Sequence, residues 1–126
     1  MGLFGTKTEK QPRWADAAAE SERLRSLPVP DLAAEVMRAF SPEGMKIRTG
    51  LRHGPVEVVA WLLPGAPMRY RQPILGPVIE ALGVLEHANL LTRRQRDNAS
   101  NYYVSGLGAE ALAAGTVRQE LGLDGA

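Results

Sequence analysis

The stretch "LEHANLLTRRQRDNASNYYVSGLGAEAL", residues 85–112, predicts a charged β-hairpin between two helices. It opens in a leucine-rich helical pattern, after which "LTRRQ" and "NYYVS" flank "RDNA", whose Asp97 and Asn98 suit a tight turn. Ser105 is a good cap for the helix-forming residues that follow it. The first strand and its turn carry three arginines, Arg93, Arg94 and Arg96.

Two helices are predicted in the first forty residues. "ADAAAESERLRSL" (residues 15–27) is rich in helix formers, and Pro28 and Pro30 end it. We expect Asp31 to cap "LAAEVMRAF" (residues 32–40), which has apolar residues at helical spacing. The buried stripe of this second helix is predicted to contain Leu32, Val36 and either Ala39 or Phe40.

The next segments predict a short strand and a buried helix. "MKIR" (residues 45–48) alternates apolar and basic residues, so Met45 and Ile47 are expected to face the core. "GPVEVVAWLLPG" (residues 54–65) is apolar on nearly all sides, which fits either a buried helix or a buried strand. We favour a helix because Pro55 can occupy a first turn, and we expect Trp61 in the core.

Two further helices flank the hairpin. "PILGPVIEALGVLEHANLL" (residues 73–91) is expected to begin at Pro73 or Pro77. Its predicted buried stripe consists of Leu75, Val78, Ile79, Leu82 and Leu85. "SGLGAEALAAGTVRQELG" (residues 105–122) predicts one helix that Gly122 ends. The positions that mark it are Leu107, Ala111, Ala114, either Val117 or Arg118, and Leu121.

Length and composition favour one cytoplasmic domain. The chain has 126 residues, 44% of them hydrophobic and 23% charged, which suits a single modest core. It contains no cysteine, which excludes disulfides, thiolate catalysis and cysteine-ligated zinc. No apolar run approaches the roughly 20 residues of a membrane span, so we expect no membrane association. We predict a flexible basic tail over residues 1–14 and one domain over residues 15–126.

Charge is segregated along the chain although the total is only +1. Residues 46–96 hold eight basic and three acidic residues, a net charge of +5. Residues 14–45 and residues 97–126 each carry a net charge of −3. A basic middle can form a positive face that binds a polyanion, and the alternative is ordinary solvated surface charge.

The order of elements and two motifs carry a resemblance to a known family. "VIEALGVLEHANLLTRR" (residues 78–94) and "YVSGLGAEAL" (residues 103–112) resemble the third helix and wing of winged-helix bacterial regulators, in particular the MarR-like and PadR-like groups. The resemblance covers residues 31–121. It implies a mainly α (α+β) fold, a winged helix-turn-helix with a small β-hairpin wing and flanking N- and C-terminal helices.

The resemblance implies a transcriptional regulator that binds double-stranded DNA. In such folds the third helix enters the major groove and the wing lies on the backbone or in the minor groove. Arg93, Arg94 and Arg96 match wing positions, and arginines on a hairpin can pair with phosphate oxygens. At or just before the third helix, the residues placed to reach base edges are Arg69, Tyr70, Arg71 and Gln72.

A second hypothesis makes the same scaffold a protein-interaction or assembly module. The outward side of the third helix offers Gly76, Glu80, Gly83 and His87, with no Arg or Lys, and Glu80 would repel phosphate. In the assembly hypothesis, the contact surface is formed by the hairpin arginines together with Tyr102 and Tyr103. Strand alternation sends one of these tyrosines inward and the other outward. The resemblance also implies a homodimer, since such regulators usually pair through helices outside the DNA-binding unit, and the N- and C-terminal helices are available for that role.

The sequence does not favour an enzyme, a cofactor or a metal site. "GLGAEA" places Gly106, Gly108 and Ala111 in a dinucleotide-binding pattern, but no strand follows, so helix-capping glycines are the better interpretation. His53 and Glu57 have the i, i+4 spacing of metal ligands without a third partner. Surface histidines are therefore expected at positions 53 and 87. The sequence defines no catalytic residue and no small-molecule effector.

Overall fold

The computed structural model describes residues 16–42, 44, 53–96 and 99–123, and the fold is mainly helical with a two-stranded antiparallel hairpin. The predicted α+β class is confirmed. The basic tail, Trp14, the strand at residues 45–48 and the Asp97–Asn98 turn lie outside the described residues. In the part that is described, no helix has both the length and the hydrophobicity needed to cross a membrane.

Six helices and two strands follow one another along the described ranges. The helices are α1 (residues 16–26), α2 (Val29–Met37, extended by a 3-10 turn at Arg38–Phe40), α3 (Pro55–Leu62), α4 (Met68–His87), α5 (Gly106–Ala114) and α6 (Val117–Glu120). The strands are β1 (Leu91–Arg96) and β2 (Ala99–Val104). The helix predicted from residues 54–65 is therefore confirmed, with Pro55 in its first turn.

The second helix starts earlier than predicted. Pro28 is its N-cap, and the carbonyl of Pro28 accepts the Leu32 N–H at 2.9 Å. Pro30 is the second residue of the helix, and proline is tolerated in a first turn, where its missing N–H would have no intrahelical partner. The prediction that Asp31 caps this helix is wrong. Asp31 lies within the first turn and forms an ion pair with Arg118 of α6 at 3.3 Å.

The core lies where α2 and α3 pack against α4. The predicted stripe of α2 is confirmed, with both Ala39 and Phe40 buried. In α4 the prediction holds only in part, because Ile79 is 47% exposed and Leu75 is half-buried. Trp61, expected in the core, is only partly buried and packs against the core. The fully buried residues of α4 are Ile74, Val78, Ala81, Leu82 and Leu85.

Helix α4 begins at Met68, so the prediction that Pro73 or Pro77 is its first residue is wrong. The carbonyl of Pro67 accepts the N–H of Tyr70 at 2.9 Å, which starts the helix. Pro73 and Pro77 lie inside the helix, where each removes one backbone hydrogen bond. The helix is stabilised by packing on α2 and α3 instead. As a consequence, residues 69–72 belong to the first turns of α4.

The hairpin prediction is confirmed. The register pairs Leu91 with Val104 and Arg96 with Ala99. The N–H of Tyr102 donates to the carbonyl of His53 at 2.9 Å, which attaches β2 to the chain before α3. Tyr102 is 6% exposed and Tyr103 is 43% exposed. Tyr102 is therefore the tyrosine that faces the core.

The predicted single C-terminal helix is two helices. Gly115 has a φ of 72°, a left-handed conformation that ends α5, and α6 follows. Ser105 caps α5 as predicted, since its hydroxyl accepts the Gly108 N–H at 2.9 Å. The predicted apolar face is wrong at Leu107 and Ala114, which are exposed, and is confirmed at Ala111. The break turns the chain so that α6 packs against α2.

Candidate nucleic-acid interface

The outer face of the hairpin carries an exposed arginine beside an exposed tyrosine. The register pairs Thr92 with Tyr103 and Arg94 with Asn101, so Arg94 and Tyr103 are diagonal neighbours on one face. The guanidinium carbon of Arg94 lies 5.7 Å from the centre of the Tyr103 ring. A cation at this distance from an aromatic ring is attracted by its quadrupole. Thr92 is exposed on the same face.

Arg93 points to the other face and contacts the helix that precedes the hairpin. Its Nε donates to Oε2 of Glu86 in α4 at 3.3 Å. Tyr102 is the cross-strand partner of Arg93. Burial raises the pKa of the Tyr102 hydroxyl, with Arg93 opposing and Glu86 reinforcing that effect. Arg93 therefore connects β1 to α4. Arg96 pairs with Ala99 through the backbone, and its side chain lies outside the described part.

The second set of predicted contact residues lies in the first turns of α4, where most of them make contacts within the protein. The guanidinium of Arg69 lies 4.9 Å from the centre of the Tyr70 ring. The Tyr70 carbonyl accepts the Ser21 hydroxyl of α1 at 2.7 Å. Arg71 Nε donates to the carbonyl of Leu63 at 3.2 Å, which braces the turn between α3 and α4. Gln72 is exposed.

The two sets lie at opposite ends of α4. Arg71 and Glu86 are separated by 15 residues of helix, about 22 Å at the rise of an α-helix. The residues predicted to face outward between them, Gly76, Glu80, Gly83 and His87, are all exposed. The seven predicted contact residues therefore do not form one compact cluster. A surface that used both sets would have to follow the length of α4.

His53 is a buried residue that the sequence did not reveal. It is 7% exposed, and its ring meets Phe40 edge to face with 5.6 Å between the ring centres. Its buried Nε2 has no hydrogen-bond partner among the described residues. Burial lowers the pKa of His53, and Glu57 opposes that effect. The expected surface position of His53 is wrong. A lone histidine outside any periodic pattern carries no signal of burial.

In the structure, Glu57 acts as a helix cap. Its Oε1 accepts the N–H of Gly54 at 2.9 Å, which caps the N-terminus of α3. Within the described ranges, no three His, Cys, Asp or Glu side chains are grouped so that they could hold a metal ion. The i, i+4 spacing of His53 and Glu57 is thus accounted for by a buried ring and a helix cap.

Of the two glycines of "GLGAEA", Gly108 is used in helix packing, whereas Gly106 is exposed. The amide of Gly108 is bound by the Ser105 hydroxyl, which in turn donates to the carbonyl of Asn89 at 2.6 Å. A β-carbon on Gly108 would collide with the carbonyl oxygen of Leu90. Glycine is therefore required at position 108 because α5 approaches the end of α4 closely.

The comparisons with known proteins do not assign the chain to a family. No protein-family model, curated protein or solved structure matches it. Its function has therefore to be inferred from the geometry of the hairpin and of α4.

Proposed function

We propose that this protein binds duplex DNA as a winged helix-turn-helix transcriptional regulator. In this proposal α3, the turn containing Gly65 and α4 form the helix-turn-helix, and the β1–β2 hairpin is the wing. The observation that carries the proposal is the exposed run Thr92–Gln95 on β1, with Arg94 on its outer face beside Tyr103. Arginine side chains on such a hairpin can pair with phosphates or enter a minor groove.

The proposal places most of the binding free energy in the hairpin. The outward side of α4 has Glu80 and two glycines where base-reading side chains would be needed. Phosphate contacts carry no sequence information directly, and their affinity falls steeply with salt. We therefore expect salt-sensitive binding with little preference among duplex sequences.

The salt dependence of duplex binding tests this proposal. Replacing Arg93, Arg94 and Arg96 together by Ala should reduce the magnitude of the slope of log affinity against log salt by about 0.9 for each phosphate that the variant no longer neutralises. Arg25→Ala with Arg118→Ala is a control that removes positive charge from α1 and α6. A folded triple variant with an unchanged slope would exclude the hairpin as the DNA contact.

Sequence reading is tested at the start of α4. A preferred duplex is selected from a random pool, and Arg69→Ala and Arg71→Ala are measured on that duplex and on a scrambled one. A bidentate guanine contact would give about 1–3 kcal/mol of discrimination, and its removal would weaken binding only to the selected duplex. We expect no such discrimination from Arg71, whose side chain is bound to the Leu63 carbonyl. Equal losses on both duplexes would identify phosphate contacts.

One observation favours the alternative of an assembly module without DNA binding. Three large apolar residues, Tyr103, Val104 and Leu107, are exposed within five positions at the junction of β2 and α5. Exposed aromatic and aliphatic residues near a charged rim are typical of protein interfaces. Tyr102, also named in that hypothesis, is buried and belongs to the core. Absence of duplex binding at low salt would support the alternative.

We further propose a homodimer, because two half-sites double the phosphate contacts. The terminal helices expected to pair both contact α2 within the chain, through Arg23–Glu35 and Arg118–Asp31. Pairing would use their remaining surfaces. Sedimentation at increasing concentration tests this, and a monomer at all concentrations would restrict pairing to the DNA-bound state.

A further inference from the structure

We propose that two neighbouring arginines of the hairpin have different roles: Arg94, positioned by Tyr103, binds a nucleic-acid phosphate, whereas Arg93 is committed to Glu86 and anchors the hairpin to α4. This inference rests on the proposed function, and it names the residue of the hairpin that performs it. It also assigns Tyr103 as a positioning residue for Arg94.

The position of Arg94 suits phosphate binding. Its side chain is exposed, and its guanidinium lies beside the Tyr103 ring. A ring contact holds a guanidinium without using its N–H donors, which remain available for a bidentate contact with phosphate oxygens. Holding a long side chain in place before binding also lowers the entropy lost on binding. The exposed hydroxyl of Thr92 lies on the same face and can donate a further hydrogen bond.

The position of Arg93 does not suit phosphate binding. Its Nε is bonded to the Glu86 carboxylate, and it lies opposite the buried Tyr102. A phosphate at this position would have to displace a carboxylate that stays close by and repels it. Neutralising Glu86 should therefore convert Arg93 into a second phosphate-binding arginine.

Two matched variants separate these roles. Arg93→Gln and Arg94→Gln change adjacent residues in the same way, and binding of each to one duplex is measured between about 50 and 200 mM salt. We expect Arg94→Gln to lower the magnitude of the slope of log affinity against log salt by about 0.9 and to weaken binding at least threefold at low salt. We expect Arg93→Gln to leave the slope unchanged. Glu86→Gln should raise the magnitude of that slope by about 0.9.

Substitutions at Tyr103 test its positioning role. Tyr103→Leu removes the ring and should weaken binding about two- to fivefold, the range of an exposed cation–π contact. Tyr103→Phe keeps the ring and should bind as wild type does. Circular dichroism and thermal unfolding establish that every variant is folded. A loss with Phe equal to that with Leu would overturn the positioning role, because it would trace the effect to the hydroxyl.

The outcomes separate this inference from the proposed function. Salt-sensitive wild-type binding with equal slope losses in Arg93→Gln and Arg94→Gln overturns the division of roles and leaves the DNA proposal standing. A larger loss in Arg93→Gln reverses the assignment and overturns it too. Absence of wild-type binding at low salt overturns both proposals.

Discussion

At the scale of single residues, the region around the hairpin contains residues whose roles differ from those that their sequence patterns indicate. Gly108 matches a phosphate-binding pattern, yet its lack of a side chain serves the close approach of α5 to the Leu90 carbonyl. His53 has the spacing of a metal ligand, yet its ring is buried against Phe40. The sequence singled out both positions, but it predicted His53 at the surface and could not supply the neighbours that explain either residue.

Gly108→Ala should destabilise the fold by about 1–3 kcal/mol, because the new methyl group has to displace backbone. Gly106→Ala is the matched control, two residues away, where an added methyl group would have no neighbour within 4 Å. Gly106→Ala should not lower the stability, because it meets no steric clash and alanine reduces the entropy of the unfolded chain. Urea unfolding measures both. A loss below about 0.5 kcal/mol for Gly108→Ala would contradict the close packing.

His53 should make stability depend on pH below about 6.5, the ordinary pKa of histidine. Its pKa is lowered in the folded protein by burial, so the unfolded chain takes up protons first as the pH falls. The free energy of unfolding should then decrease below about pH 6.5, by no more than about 1.4 kcal/mol per pH unit. The lowered pKa of Glu20, due chiefly to its hydrogen bond with Arg23, adds a loss only at lower pH.

Unfolding of wild type and His53→Phe across this range checks the prediction. The variant should show a flatter profile between about pH 5 and 6.5, the range in which histidines rather than carboxylates change charge. Parallel profiles would mean that His53 does not titrate differently in the folded and unfolded chains.

At the scale of elements, the sequence predicted the presence of the helices and the hairpin well. It predicted their ends and their buried faces less well. Turn residues and alternation were sufficient for β1 and β2, since hairpin signals are local. The start of α4 was missed because prolines normally mark a first turn, and here tertiary packing keeps Pro73 and Pro77 inside the helix. The exposure of Ile79 depends on which side α2 and α3 cover, and that information is not local.

The cap of α5 offers a test at this scale. Ser105 accepts the Gly108 N–H and donates to the Asn89 carbonyl, so it joins α5 to the end of α4. Ser105→Ala should lower the free energy of unfolding by about 1–2 kcal/mol. Ser26→Ala, which removes only an exposed hydroxyl bonded to the Glu22 carbonyl, should change it by less than about 0.5 kcal/mol. Equal losses in the two variants would mean that the cap contributes no more free energy of unfolding than an exposed hydroxyl does.

At the scale of the whole molecule, charge segregation in the sequence corresponds to one surface of ion pairs between helices and another with an exposed arginine. Among the described acidic residues, several are paired with arginines that join helices: Arg23 bridges Glu20 and Glu35, and Arg118 meets Asp31. The basic middle of the chain contributes Arg94 on an exposed hairpin face. Net charge could predict a positive region, but only the strand register separates Arg94 from the paired Arg93.

Mapping the contact surface by NMR tests the central claim, that the hairpin binds duplex DNA. A labelled sample is titrated with an unrelated duplex at about 50 mM salt, and the titration is repeated at about 200 mM. The largest amide shift changes should fall on Thr92, Arg94 and Tyr103, with smaller ones in the first turns of α4, and should shrink at the higher salt. Changes confined to Val104 and Leu107, or no changes at low salt, would contradict the account.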